Sequence, residues 1–341
     1  MNEKVLQTLE FDKIRDLLGQ HAASKPGKSQ IDQLVPSRDF EEVVARLNET
    51  DEAAHVLRLK GQAPLDGIFD ISPAINRAEI GGVLHVEEFV EIASTIAVGR
   101  EMKRFLQPLV EEENLPILES ILKTMNPPVA LLRNINNVIG DHGEILDSAS
   151  EKLRALRRQI SRLEGRVREK LEQIIRSPGA QKMLSDAIIT IRNDRFVIPV
   201  KQEYRTHFGG MVHDQSASGQ TLFIEPGIAV NLNNELQNVR MEERAEIERI
   251  LTELSRQVAE NRDELTQLLK CLAQLDFMFA KAKFAASMKA TKPAMNKRGY
   301  LKLYQARHPL IPQDEVVAND IEFGKELRTI VITGPNTGGN T

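Results

Sequence analysis

The sequence has no tryptophan, only three tyrosines and a single cysteine, Cys271, among 341 residues. With so few aromatic platforms, base stacking on single-stranded nucleic acid has little to use, and base-specific recognition is not expected. One thiol excludes a disulfide framework and fits a reducing cytosol. No apolar run approaches the roughly 20 residues that a membrane span needs, and the start MNEKVLQTLEF has no apolar signal region. A cytoplasmic chain without a membrane partner is expected. Nor is there an excess of one charge: 45 Lys and Arg against 49 Asp and Glu leave a formal charge of −4. Any contact with a polyanion must therefore be local. His207 and His213 have neither a Cys nor a third His at ligand spacing, so no metal site is expected there. No Ser/His/Asp or Cys/His arrangement stands out for nucleophilic catalysis.

What the chain has in quantity is heptad spacing. Leu146, Ala149, Leu153, Leu156, Ile160, Leu163 and Val167 recur at steps of three and four, then slip to Lys170 or Leu171 before Ile174. Leu251, Leu254, Val258, Leu265, Leu268, Leu272, Leu275 and Phe279 repeat the pattern further on. With no Gly or Pro between Ile228 and Lys292, this second stretch is predicted to run unbroken. At 1.5 Å per residue, helices over 145–176 and 231–289 would span roughly 48 and 87 Å, so the longer one must also pack on the N-terminal part. Residues 151–176 hold nine Lys/Arg against four Glu, whereas 240–264 hold five Arg against eight Asp/Glu. Their charges are complementary, and together they predict a coiled-coil stem.

Residues 1 to about 130 read as short amphipathic helices separated by breakers such as Lys25-Pro26-Gly27 and Pro127-Pro128. Between the stem helices the period becomes strand-like. AIITIR, RFVIPV, GGMVHD and QTLFIEP are β-branched or aromatic runs, with a tight turn at Asn193-Asp194. A mainly α chain with a small antiparallel β insertion on its stem is predicted, followed by strands at YLKLYQ and ELRTIVIT. The segment DHGEILDSAS crowds Asp141, His142, Glu144 and Asp147. Those residue types suit a metal or acid/base site, but Asp141 or Asp147 before an apolar heptad also suits a helix cap, which is the reading adopted.

The last residues, Gly334-Pro335-Asn336-Thr337-Gly338-Gly339-Asn340-Thr341, follow an apolar run and fit the phosphate loop GxxxxGK[ST] except at Asn340. The missing lysine normally neutralises the β/γ-phosphates, and the helix that should follow is not in the sequence. This chain alone is expected neither to bind ATP tightly nor to hydrolyse it.

Cations supply the other signal. Arg154, Arg158, Arg162, Arg166 and Lys170 form one row at i+4 steps. From Lys281 to His308 there are eight Lys/Arg and no acid. Either group can neutralise phosphates. Alternatively, the row pairs with the acidic returning helix and the cluster completes a helix end. The β insertion adds Arg192, Arg195, Lys201 and Arg205 among five acids.

In combination, DHGEILDSAS, ITIRNDRFVIPVKQEYR, HDQSASGQTLFIEP, ARHPLI, VANDIEFG and VITGPNTGG resemble the MutS-II family of bacteria. These are the shorter MutS homologues without mismatch-reading and connector domains, and the likeness covers essentially the whole chain. It implies a helical core domain over 1–139, an outgoing lever helix over 140–184, a β clamp over 185–230, a returning lever over 231–292 and the start of an ABC-type ATPase domain over 293–341. ATP and magnesium would then sit at Gly334 to Thr341, with Val316 packing on adenine where relatives stack an aromatic. The resemblance further implies a homodimeric ATPase that clamps branched or duplex DNA and suppresses homologous recombination. Some members are implied instead in holding the rRNA of stalled, collided ribosomes and splitting them. The family's nicking activity resides in a Smr domain that this sequence lacks, so the chain is expected to be the N-terminal portion of a longer protein. A non-catalytic coiled-coil scaffold is the remaining alternative.

Overall fold

The computed structural model describes residues 3–312, 314–324, 329 and 331. In chain order the helices and strands are α1 (Glu3–Thr8), α2 (Phe11–Gly19), α3 (Lys25–Asp32), α4 (Phe40–Lys60), α5 (Ser72–Glu79), α6 (Val86–Glu112), α7 (Pro116–Thr124), α8 (Val129–Val138), α9 (Glu151–Ile175), α10 (Pro178–Met183), β1 (Thr190–Arg192), β2 (Arg195–Lys201), β3 (Met211–Gln215), β4 (Thr221–Glu225), α11 (Gly227–Glu260), α12 (Arg262–Ser287), β5 (Leu301–Ala306) and β6 (Asn319–Phe323). The molecule is mainly helical with a small antiparallel sheet, as predicted. It divides into two compact units, one of residues 1–76, 91–132 and 260–341 and the other of 77–90 and 133–259.

In the first unit α12 is the axis. Leu265, Leu268, Leu272, Leu275 and Phe279 are fully buried, and α2, α3, α4 and α7 pack around them. The acidic face of α4 accounts for much of the cationic cluster after residue 280. Lys281 pairs with Glu49 at 3.1 Å, Lys292 with Asp51 at 3.1 Å and Lys297 with Glu41 at 2.8 Å. Three of its eight cations are therefore held within the fold. A second anchor is Asp276, wholly buried on α12. Its carboxyl accepts the N–H groups of Ala23 (2.9 Å) and Ser24 (2.8 Å) and the Ser24 hydroxyl at the head of α3. Ser24 in turn caps α3 by accepting from Gly27 N at 3.0 Å. YLKLYQ forms β5 as predicted, but its antiparallel partner is Asn319–Phe323. All of the predicted strand ELRTIVIT except Thr329 and Val331 lies outside the described residues.

In the second unit α9 and α11 run antiparallel. Arg157 Nε donates to Glu243 at 2.9 Å and Arg240 to Glu164 at 2.7 Å, so the predicted charge complementarity is realised. The seam on α9 buries Leu153, Leu156, Leu163, Val167, Leu171 and Ile175. It slips to Leu171 rather than Lys170, and the next buried position is Ile175, with Ile174 partly buried against the same core. The sheet has strand order β1-β2-β4-β3, antiparallel throughout. Asn193 and Asp194 take φ of 50° and 61°, the left-handed pair that a type I′ hairpin needs. Phe196, Ile198, Val200, Leu222 and Ile224 share one core with Leu163, Val167 and Leu171 of α9 and Leu236 and Val239 of α11. The sheet is thus fused to the stem helices through common packing.

Three expectations are corrected. The outgoing helix starts at Glu151, not near Ile145, because residues 139–145 fold back as a bridge (Ile139 to Ile145) and 147–149 make one 3₁₀ turn. Its cap is Ser150, whose hydroxyl accepts Leu153 N at 2.9 Å; Asp147 instead holds Arg157, and Asp141 caps nothing. The returning helix is not continuous. It is interrupted at Asn261 (φ −96°, ψ 14°), within the polar run Glu260 to Glu264. There no apolar side chain resists a break, and Asp263 and Glu264 suit a new helix start.

Candidate nucleic-acid interface

Burial of the apolar seam decides what the opposite side of α9 presents. Arg154, Arg158, Arg162, Arg166 and Lys170 are all exposed. Their spacing places five cations along about 24 Å of helix axis. Among the described residues none of the five side chains takes part in a hydrogen bond or ion pair. Two acids of α11 are occupied by other partners: Glu243 by Arg157, and Glu246 by Lys152 (3.4 Å), Arg249 (2.7 Å) and the Ser150 hydroxyl (2.9 Å). The Arg249 guanidinium, helped by Ser150 and Lys152, holds the Glu246 carboxyl at about 2, against burial that pushes it up. Between Lys152 and Arg168 the only acid on α9 is Glu164, already bound to Arg240. Like charges at i,i+4 each cost a helix about 0.2–0.5 kcal/mol, and among the described residues no ion pair to an acid bridges any of the four such pairs here. The alternative in which this row pairs with the returning helix is therefore not what forms.

The cations of the sheet behave differently. Arg192 donates to Asp214 at 3.0 Å and to the Thr190 hydroxyl, with its guanidinium 4.2 Å above the Phe223 ring. Arg195 donates to Glu225 at 2.9 Å. Lys201 donates to the Lys182 carbonyl at 2.9 Å, at the end of α10 where a cation offsets the helix dipole. These three hold the fold together. Of the four predicted here, only Arg205 is exposed and without a partner among the described residues.

A buried polar centre in the same sheet escaped the sequence reading. Glu225 is fully buried and binds Arg195, His213 Nε2 (2.6 Å) and Asn233 Nδ2 (2.8 Å). Asn233 also clips β2 to α11 through the Phe196 N–H and carbonyl. A bulge between Val212 and Asp214 makes His213 the extra residue of β3, and such bulges re-aim a side chain. One signal was available: Asn233 occupies an apolar phase of α11 between the buried Ala229 and Leu236, and a polar residue there implies a buried partner. In DHGEILDSAS, Glu144 accepts His142 N at 3.1 Å and Asp147 binds Arg157, so both carboxyls serve the local turn. Of the residues assigned to ATP, only Val316 is described: it is half-buried, and its N–H donates to Pro312 O at 2.9 Å. Gly334, Pro335, Asn336, Thr337, Gly338, Gly339, Asn340 and Thr341 lie outside the described residues. No helix among the described residues is long and apolar enough to cross a membrane.

This arrangement is a stem with an unneutralised cationic face and a sheet fused to its helices. Searches for relatives give the same family that the motifs suggested. The chain is 57% identical over 342 residues to endonuclease MutS2 of Geobacillus sp. (strain WCH70) and 58% to that of Geobacillus kaustophilus (strain HTA426). It is 52% identical to the putative endonuclease MutS2 of Bacillus subtilis (strain 168). Each match covers 100% of this chain. The chain belongs to the MutS-II family. No family model matches it. The chain spans 44% of the length of these MutS-II relatives, and the segment HDQSASGQTLFIEP contains both His213 and Glu225 of the buried centre.

Proposed function

We propose that the second unit is the lever and clamp of a MutS-II protein, and that the α9 row grips the phosphodiester backbone of duplex or branched DNA without reading its bases. The observation that carries this reading is the row itself: four arginines and a lysine, exposed and, among the described residues, in no ion pair with an acid. A polyanion relieves their mutual repulsion and releases counterions on binding. The name endonuclease on the MutS2 relatives requires that those proteins hold a polynucleotide. Two copies closing on one duplex gain through effective concentration what one near-neutral copy lacks. A homodimer that suppresses homologous recombination by enclosing branched intermediates completes the proposal.

Salt dependence tests it. If five or six cations meet phosphates, log Kd should change with log salt at a slope of about 4.5–5.5, roughly 0.9 per phosphate. Charge reversal at Arg158 and Arg162 should lower that slope by about 2 and weaken binding at least tenfold. A flat salt response in the parent chain would make the stem a scaffold. Tighter binding to helical rRNA than to DNA at matched salt would move the target to the ribosome.

ATP with magnesium enters this proposal only for the whole MutS-II protein. The loop Gly334 to Thr341 carries an amide at Asn340, which has no charge to set against the β/γ-phosphates. Calorimetric titration of this chain with ATP and magnesium is expected to give a Kd in the millimolar range, about −4 kcal/mol, or no heat at all. A micromolar constant would overturn that expectation, and Asn340→Lys should be the change that tightens binding.

A further inference from the structure

Gly165 lies in the interior of α9 and is exposed on the side away from the seam. A Cβ built there meets nothing within 4 Å. The fold therefore gives no reason for glycine: there is no turn, no left-handed backbone angle and no neighbour to avoid. Alanine would fit the same space and favour the helix, since glycine loses more backbone freedom on folding. What surrounds Gly165 is the cationic row. Arg162 is one turn before it, Arg166 follows it and Arg158 is two turns back, all exposed. The next turn brings the exposed acid Glu169, which bounds the cationic stretch on that side.

We infer that a phosphodiester backbone crosses α9 at Gly165, closer to the helix axis than a side chain would permit. Arg158, Arg162 and Arg166 flank it and take its phosphates. The inference rests on the proposed function of the row and adds the point of closest approach. Glycine is the residue that admits such close contact, and the helix stability lost at this position is recovered only in the complex.

The experiment compares the parent chain, Gly165→Ala, Gly165→Leu and the Arg158→Glu/Arg162→Glu double variant. Each is titrated against a fluorescent 30-base-pair duplex at several salt concentrations, and melting temperatures are recorded in parallel. Gly165→Ala should melt higher than the parent yet bind several-fold more weakly at every salt concentration. The salt slope should stay unchanged, because no charge is lost. Gly165→Leu should bind more weakly still. Parent-like affinity in both glycine variants, alongside weakened binding in the charge-reversed one, would overturn the crossing point and leave the cationic grip standing. A lower melting temperature for Gly165→Ala would give the glycine a structural role and also overturn the inference. If the double variant binds like the parent, the reading of the row itself fails.

Discussion

Glu225→Ala should destabilise the second unit by about 3–5 kcal/mol, the usual cost of removing one partner from a buried charge network. Glu225 is fully buried and touches three polar side chains that come from β2, β3 and α11: Arg195, His213 and Asn233. Without its carboxyl, a guanidinium whose side chain is only 20% exposed loses its counter-charge, and the Asn233 amide loses one acceptor. No shift in packing can restore both, since Asn233 is fixed to Phe196 through two backbone bonds. Glu225→Gln should cost less, because an amide oxygen still accepts from Asn233 or Arg195. Amide hydrogen exchange over Phe196 to Val200 in the full chain reads the loss directly. Protection equal to the parent in Glu225→Ala would sink the claim that this centre ties sheet to stem. Because the chain holds two units, unfolding should be followed by such local probes and not assumed to be a single transition.

Asp276→Ala is the corresponding lesion in the first unit. Its buried carboxyl accepts from two backbone N–H groups and one hydroxyl at the head of α3, with no cationic partner among the described residues. The dipole of α3 supports a negative group at this point. Truncation leaves the buried N–H of Ser24 and the part-buried N–H of Ala23 without their acceptor, at a cost of about 1–3 kcal/mol. Asp276→Asn should rescue it only in part, because the amide oxygen can accept from Ser24 while the NH2 group faces the Ala23 N–H. The fit around the carboxyl is tight: a Cβ on Gly27 would lie 2.1 Å from Asp276 Oδ2, so Gly27→Ala should also lower the melting temperature. Parent-like melting of both Asp276 variants would remove Asp276 as the anchor of α3.

Much of the architecture was readable in the chain because it is local. The seam residues of α9, the four strand runs and the Asn193-Asp194 turn depend on periodicity and on one backbone conformation. The signs of charge on the two stem helices predicted their pairing. Several details were not readable, because competing local signals were equally good. Asp141, Asp147 and Ser150 all qualify as caps by residue type, and packing selected Ser150, whose hydroxyl also reaches Glu246. Spacing runs unbroken from Leu254 through Val258 to Leu265, yet the first two serve one compact unit and Leu265 the other. The interruption at Asn261 falls at that division of partners, inside the polar run Glu260 to Glu264, with no Gly or Pro to announce it.

By itself the sequence determined that five cations share an inclined row on α9, since helical spacing alone puts them there, and it determined the MutS-II likeness through its motifs. Tertiary structure decided which cations remain available. Arg192, Arg195 and Lys201 were equivalent to Arg205 as letters, but burial of Glu225 and closure of the sheet drew three of them inward and left one outside. A charge becomes a binding group only when no closer partner within the fold satisfies it, and that depends on neighbours far apart along the chain.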